Sequence, residues 1–256
     1  ENGSMKTLMA ANWKMHKTAQ EAGENAQELV SRLSDRLPED REVLVIPPFT
    51  ALHAVRSALP KEKGYFLGGQ NFYPASEGAF TGEISPAMLQ EQGCSFALVG
   101  HSERRHVLFE SDAFIAQKVS FGLDTGLKVI LCIGETLDER TQGRVKEILE
   151  RQLSTGLGSV DPCEGITERL AIAYEPVWAI GTGHVAGEKE VAEAHDLVRE
   201  ELTKLFGSEG ESIRILYGGS VKPDNIASIL GVDNVNGVLV GGASLKPDSF
   251  SEIVLG

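Results

Sequence analysis

The chain has 256 residues, 41% hydrophobic and 24% charged, with a formal net charge of −13. That length suits one α/β barrel or two small domains. The acidic balance lacks the basic face of a nucleic-acid binder, but it is compatible with a small anion held by backbone N–H groups and a lysine.

No run approaches the ~20 apolar residues of a bilayer span. Cys94, Cys132 and Cys163 are widely spaced, with no CxxC pair, and fit the reduced thiols of a cytoplasmic protein. Glu1–Ser4 has no basic-then-apolar signal and reads as an expression remnant ahead of Met5.

In chain order, Thr7–Trp13 is a strand, and Ala19–Leu37 has the period of a surface helix that stops before Pro38. Strand Val43–Pro47 precedes helix Thr50–Leu59, which ends at Pro60. Strand Tyr65–Gln70 precedes a helix opened by Ser85-Pro86, with proline at its favoured first position. Strand Phe96–Gly100 leads into helix-prone Ser102–Leu108, and strand Val129–Cys132 follows. Gly156–Thr167 reads as a long loop before strand Ala171–Glu175. Helix Lys189–Phe206 stops at Gly207. Strand Ile213–Tyr217, helix Pro223–Leu230, strand Gly237–Gly241 and helix Ser249–Val254 close the chain.

Strand–helix alternation over nearly the whole chain predicts parallel strands and a single-domain (β/α)8 barrel spanning residues 5–256. A doubly wound sheet is the rival, but no GxGxxG turn follows the first strand.

Barrel chemistry belongs at the C-terminal strand ends. That filter selects Asn12, Lys14, Gln70, Asn71, His101, Glu103, Cys132, Glu175 and the glycine-rich turns Tyr217–Ser220 and Gly241-Gly242. Glu175 closes an apolar strand just before Pro176 and a flexible tip, where an acid can act as a base shielded from water. The plain alternative is a solvated strand end. Lys14 offers a point charge to an anion or a developing oxyanion. Asn12 shares its face by strand alternation and can fix Lys14 or donate to a substrate. His101 opens a helix, whose N-terminus disfavours imidazolium, so the sequence predicts a neutral imidazole able to donate. Glu103 can cap that helix or pair with Lys14. Glycine pairs at the last two strand ends suit phosphate, and Gly181 adds a further N–H. Cys132 reads as a small buried residue. No residues have metal-ligand spacing, so neither metal nor cofactor is expected.

Together these motifs resemble the triosephosphate isomerase family: Asn12–Met15, Gly78–Glu83, Val99–Arg105, Ile130–Cys132, Ala173–Gly183, Tyr217–Ser220 and Val240–Ala243, in order over residues 6–254. The resemblance implies interconversion of dihydroxyacetone phosphate and glyceraldehyde 3-phosphate. Glu175 would be the base, His101 the neutral electrophile, Lys14 the cation for enediolate and anion, with Asn12 in the same site and Glu103 in support. This acid–base pairing is itself a standard illustration of pKa tuning. Gly181, Ser220, Gly241 and Gly242 would contact the phosphate.

Pro176–Ala186, including Trp178, Ile180 and Thr182, would be a lid that hinders phosphate loss and excludes water. Tyr217 would hydrogen-bond the closed lid. His184 stands where the family often has lysine. Its protonation is expected to modulate lid opening near neutral pH, and an unchanged pH profile in His184→Lys would contradict this.

The loop Asn71–Glu83, with Phe72, Tyr73 and Phe80 expected exposed, either folds over its own barrel or docks on a second copy. The resemblance favours a homodimer, with Thr81 near the partner's Asn12 region and Glu83 paired with Arg104 across the interface. Other readings are another phosphate-binding barrel enzyme, or a silent barrel that only binds a phosphate ligand or a partner.

Overall fold

A computed structural model describes residues 5–62, 64–182 and 184–256. The expression remnant expected at residues 1–4, and Gly183 of the lid motif, lie outside the described residues. The strands are β1 (Thr7–Asn12), β2 (Arg41–Ile46), β3 (Tyr65–Gly69), β4 (Cys94–Val99), β5 (Lys128–Ile133), β6 (Leu170–Tyr174), β7 (Arg214–Tyr217) and β8 (Gly237–Val240). All pair in parallel, in chain order, and β8 returns to β1 to close the barrel.

Helices cover the outside: α1 (Ala19–Leu33), α2 (Leu52–Ala58), α3 (Pro86–Glu91), α4 (Ser102–His106), α5 (Asp112–Asp124), α6 (Leu137–Thr141), α7 (Val145–Leu157), α8 (Ile166–Arg169), α9 (Glu188–Phe206), α10 (Ile226–Leu230) and α11 (Pro247–Leu255). Among the described residues no helix is long and apolar enough to cross a membrane.

Two apolar layers follow from the period of two along each strand. Leu8, Ala10, Leu98, Ile130, Cys132, Ala171, Ala173, Leu216 and Leu239 fill the barrel. Their neighbours Met9, Ala11, Val99, Leu131, Ile172, Ile215 and Val240 pack outward under the helices. The inward parity of β1, β6 and β8, continued one step past the last packed layer, falls on Asn12, Glu175 and Gly241. Those three therefore stand at the barrel mouth.

Several boundaries differ from the sequence reading. The first helix stops at Leu33, because Ser34 turns to a φ of 35° and a short 3₁₀ turn follows. Thr18 caps it in a reciprocal box with Glu21. The second begins as a 3₁₀ turn at Phe49 and ends at Ala58, since Leu59 precedes Pro60 and is extended. α10 begins only at Ile226. The expected loop 156–167 instead contains the end of α7 and the single turn α8.

The crossover helices α5 and α7 went unread, although Ser111 and the Thr136–Glu139 capping box mark starts in that region. α5 hides its signal by burying Lys118 on its inner face. Phe72 is also corrected: it is fully buried, seated against Gly122, where an added Cβ would meet its ring at 2.7 Å. Tyr73 is half-buried and stacks on Phe80 at 4.0 Å, and only Phe80 of the three is exposed.

Candidate active site

Glu175, Asn12, Lys14 and His101 meet in a cavity of about 330 Å3 at the C-terminal mouth, walled by Ile180, Gly181, Ser220, Gly241 and Gly242 among others. Glu175 extends β6 by a hydrogen bond from its N–H to the Ile133 carbonyl at 2.7 Å. Two glycines admit it. A Cβ on Gly134 would lie 1.7 Å from the Glu175 carbonyl oxygen, and one on Gly218 would lie 2.7 Å from its Cγ.

The carboxylate is 3% exposed, with Oε2 3.0 Å from His101 Nε2 and Oε1 3.4 Å from the Ser102 N–H. Burial pushes its carboxyl up. The His101 charge and hydrogen bond, the Ser102 N–H and Lys14 outweigh that, so the net direction is down and the group is an anion.

His101 follows Gly100, whose φ of +73° turns the chain out of β4. The ring caps α4, its Nδ1 accepting the Glu103 N–H at 3.2 Å. That acceptor role leaves the ring proton on Nε2, facing Glu175. Burial pulls the imidazole down, but the charge and hydrogen bond of Glu175 overcome it, with Glu103 assisting and Lys14 opposing, and the net direction is up. This corrects the expected lowering: α4 is only five residues long, and a carboxylate at 3.0 Å exceeds its dipole.

Lys14 reaches the cavity by a turn rather than by strand alternation. Its φ of 51° is held by Asn12 Oδ1, which accepts the Lys14 N–H at 3.0 Å, and by Gln70 Nε2, which donates to the Lys14 carbonyl at 2.7 Å. Its ammonium pairs with Glu103 at 2.9 Å and faces Gly241, where an added Cβ would meet Nζ at 3.5 Å. The N–H groups of Gly181 and Gly242 have no acceptor among the described residues. Cys132 is fully buried, and burial pushes its thiol well up. Its carbonyl accepts from Arg105, which also grips the Gly100 carbonyl. Among the described residues no cluster of His, Cys, Asp and Glu could hold a metal.

After Glu175, Pro176 leads into a 3₁₀ turn at Val177–Ala179. The Trp178 indole donates to Glu135 Oε1 at 3.1 Å, and the Thr182 hydroxyl donates to the Trp178 carbonyl at 2.6 Å. His184 is exposed, its N–H on Thr182 Oγ1 at 3.2 Å. Among the described residues the buried Tyr217 hydroxyl has no hydrogen-bond partner, and burial pushes it up to about 12, against an easing by the nearby Ser220 backbone. Glu135 was missed in the sequence. It is fully buried, and Tyr174 (2.7 Å), Arg140 (3.0 Å) and Trp178 converge on it. Its only sequence signal is its place two residues after β5.

Thr81 and Glu83 are exposed on the β3–α3 loop, while Arg104 pairs within the chain with Glu110 at 2.6 Å. Beneath that loop Lys118 is buried between Glu110 and Asn71, each at 2.8 Å.

Fold and site together define a barrel enzyme with a paired acid and imidazole beside a lysine and two glycine-rich turns. A sequence profile described as Triosephosphate isomerase matches residues 7–255. The triosephosphate isomerase of Nitratidesulfovibrio vulgaris (strain DSM 19637 / Miyazaki F) is 59% identical over 98% of this chain and all of that protein. That of Oleidesulfovibrio alaskensis is also 59% identical, over 98% of this chain. The crystal structure of triosephosphate isomerase from Bartonella henselae superposes with a TM-score of 0.86 at 40% identity, covering 97% of each chain.

The chain belongs to the triosephosphate isomerase family. Its reaction interconverts dihydroxyacetone phosphate and D-glyceraldehyde 3-phosphate, a step of glycolysis.

Proposed function

We propose that Glu175 is the base of this reaction and His101 its electrophile. The observation that carries the assignment is the 3.0 Å contact between two buried groups whose proton lies between them, opening on the cavity. Substrate entering between them separates carboxylate from imidazole. Glu175 then loses the His101 contact that holds its pKa down, while burial remains, and becomes a stronger base toward the carbon acid. His101 loses the carboxylate that holds its pKa up and stays neutral while Nδ1 accepts the Glu103 N–H, with Nε2–H aimed at the carbonyl oxygen.

Lys14, positioned by Asn12 and steadied by Glu103, balances the enediolate charge. The backbone of Gly181, Ser220, Gly241 and Gly242 receives the phosphate. The lid from Pro176 to Ala186 closes over it, carrying Trp178, Ile180, Thr182 and His184, and the Tyr217 hydroxyl, without a partner among the described residues, receives a lid N–H.

The assay couples dihydroxyacetone phosphate turnover to detection of glyceraldehyde 3-phosphate. Glu175→Gln is expected to lower kcat by roughly 10²- to 10⁴-fold, and His101→Gln to act in the same direction. Wild-type turnover in Glu175→Gln would refute the assignment.

The working form is a homodimer of a cytoplasmic protein in this reading. Thr81 and Glu83 are exposed on the loop that would reach the partner, and the apolar run Val107–Phe109 is also uncovered.

A further inference from the structure

Lys222 has no role in the chemistry above, yet it lines the same cavity as Glu175, Lys14 and the glycine turns. Its backbone is fixed. The Lys222 N–H donates to Asn225 Oδ1 at 2.7 Å, and Asn225 Nδ2 donates to the Ser220 carbonyl at 3.1 Å, so one side chain ties the phosphate turn to the lysine. The Lys222 carbonyl accepts from the N–H groups of Asn225 and Ile226 at the start of α10.

Its ammonium differs from that of Lys14. Lys14 is already paired with Glu103 at 2.9 Å, whereas the Lys222 side chain is exposed and makes no ion pair or hydrogen bond among the described residues. The charges at the mouth are Lys14, Glu103, Glu175 and Lys222, with His101 neutral while its Nδ1 accepts the Glu103 N–H. Without Lys222 they sum to a negative value, on a chain of net charge −13. A triose phosphate dianion approaching such a site is repelled unless a local cation reverses the field.

We propose that Lys222 is a binding residue for the substrate phosphate: it attracts the dianion to the rim and holds it there, contributing affinity and on-rate rather than the proton-transfer step. This rests on the glycine turns being the phosphate site.

The test compares Lys222→Gln and Lys222→Arg with the unaltered full chain. The substrates are glyceraldehyde 3-phosphate at several ionic strengths and D-glyceraldehyde, the same skeleton without phosphate. Lys222→Gln is expected to raise KM for the phosphorylated substrate on the order of fivefold at low salt, with kcat unchanged. The inhibition constant of inorganic phosphate should rise by the same factor, and kcat/KM should fall less steeply with salt. Lys222→Arg should restore all three, and kcat/KM for D-glyceraldehyde should not change. An unchanged KM and phosphate inhibition constant in Lys222→Gln would overturn the proposal. So would an equal loss on D-glyceraldehyde, which would mark a structural effect. Absence of competitive phosphate inhibition in the unaltered chain would overturn the anion pocket itself, and this proposal with it.

Discussion

Glu175, the proposed base, shows how much of a residue's chemistry lies outside its own side chain. Its identity and strand-end position are read directly from sequence, but its protonation state is set by His101, Ser102 and Lys14, none within 70 positions of it. The same coupling reversed the expectation for His101, because the group that raises its pKa comes from another strand. The consequence can be measured by following the His101 ring through an NMR titration. In the unaltered, ligand-free chain it should protonate above the ordinary histidine value. In Glu175→Gln the raising charge is gone while burial and Lys14 remain, so the titration should move to lower pH. An identical curve in both proteins would show that the carboxylate does not govern the imidazole. Gly134 and Gly218 belong to the same argument, since either side chain would collide with Glu175 before any chemistry.

At the level of elements, α9 carries a histidine unconnected with the reaction. His195 is fully buried, with its ring edge-on to Tyr174 at 5.8 Å and 6.3 Å from Tyr217. Its Nδ1 donates to the Asn234 carbonyl at 2.8 Å, and Nε2 has no partner among the described residues. Burial, reinforced by Arg199, lowers its pKa to about 4, against partial opposition from the Asn234 bond and Asp196. The unfolded chain binds this proton from about pH 6.5 downward and the folded chain only near pH 4, so the unfolded state holds more protons throughout that window. Stability therefore falls as pH drops from 6.5 to 4, by about 3 kcal/mol from this group alone. Urea unfolding midpoints across that range should decline more steeply in the unaltered chain than in His195→Asn, whatever the offset between them. Parallel declines would show that His195 is not the group responsible. His195 also shows what sequence leaves unread: a histidine amid the charged residues of a long helix looks solvated until its face is known. Glu135 is the same case on a loop, because only the meeting of Tyr174, Trp178 and Arg140 makes it the anchor of the 3₁₀ turn after β6.

For the whole molecule, the uncovered apolar surface is concentrated in a few places. Met15 is 93% exposed, and Val107, Leu108 and Phe109 are 64%, 57% and 84% exposed in the segment after α4. Phe109 adopts this place with a φ of 58°, a strained conformation for a bulky residue. Together with Phe80 they suit burial against a second copy, as the homodimer proposal requires. Sedimentation at micromolar concentration should give a dimer for the unaltered chain and a shift to monomer, with lower turnover, for the double variant Leu108→Asp and Phe109→Asp. An active monomer of the unaltered chain at that concentration would contradict the proposal.

Sequence by itself determined the barrel and the rim. Strand periodicity and eightfold alternation are local signals, and the place of barrel chemistry at the C-terminal strand ends already selected Asn12, Glu175 and Gly241. It also determined the family, through motifs distributed from the first strand to the last. Tertiary structure decided what depends on residues distant in the chain. Phe72 is buried because Gly122 makes room for it, Lys14 holds its turn because Gln70 arrives from another strand, and the His101–Glu175 pair shares a proton because β4 and β6 bring the two groups within 3.0 Å. Burial and charge state are properties of what surrounds a group, and those surroundings exist only once the barrel has closed.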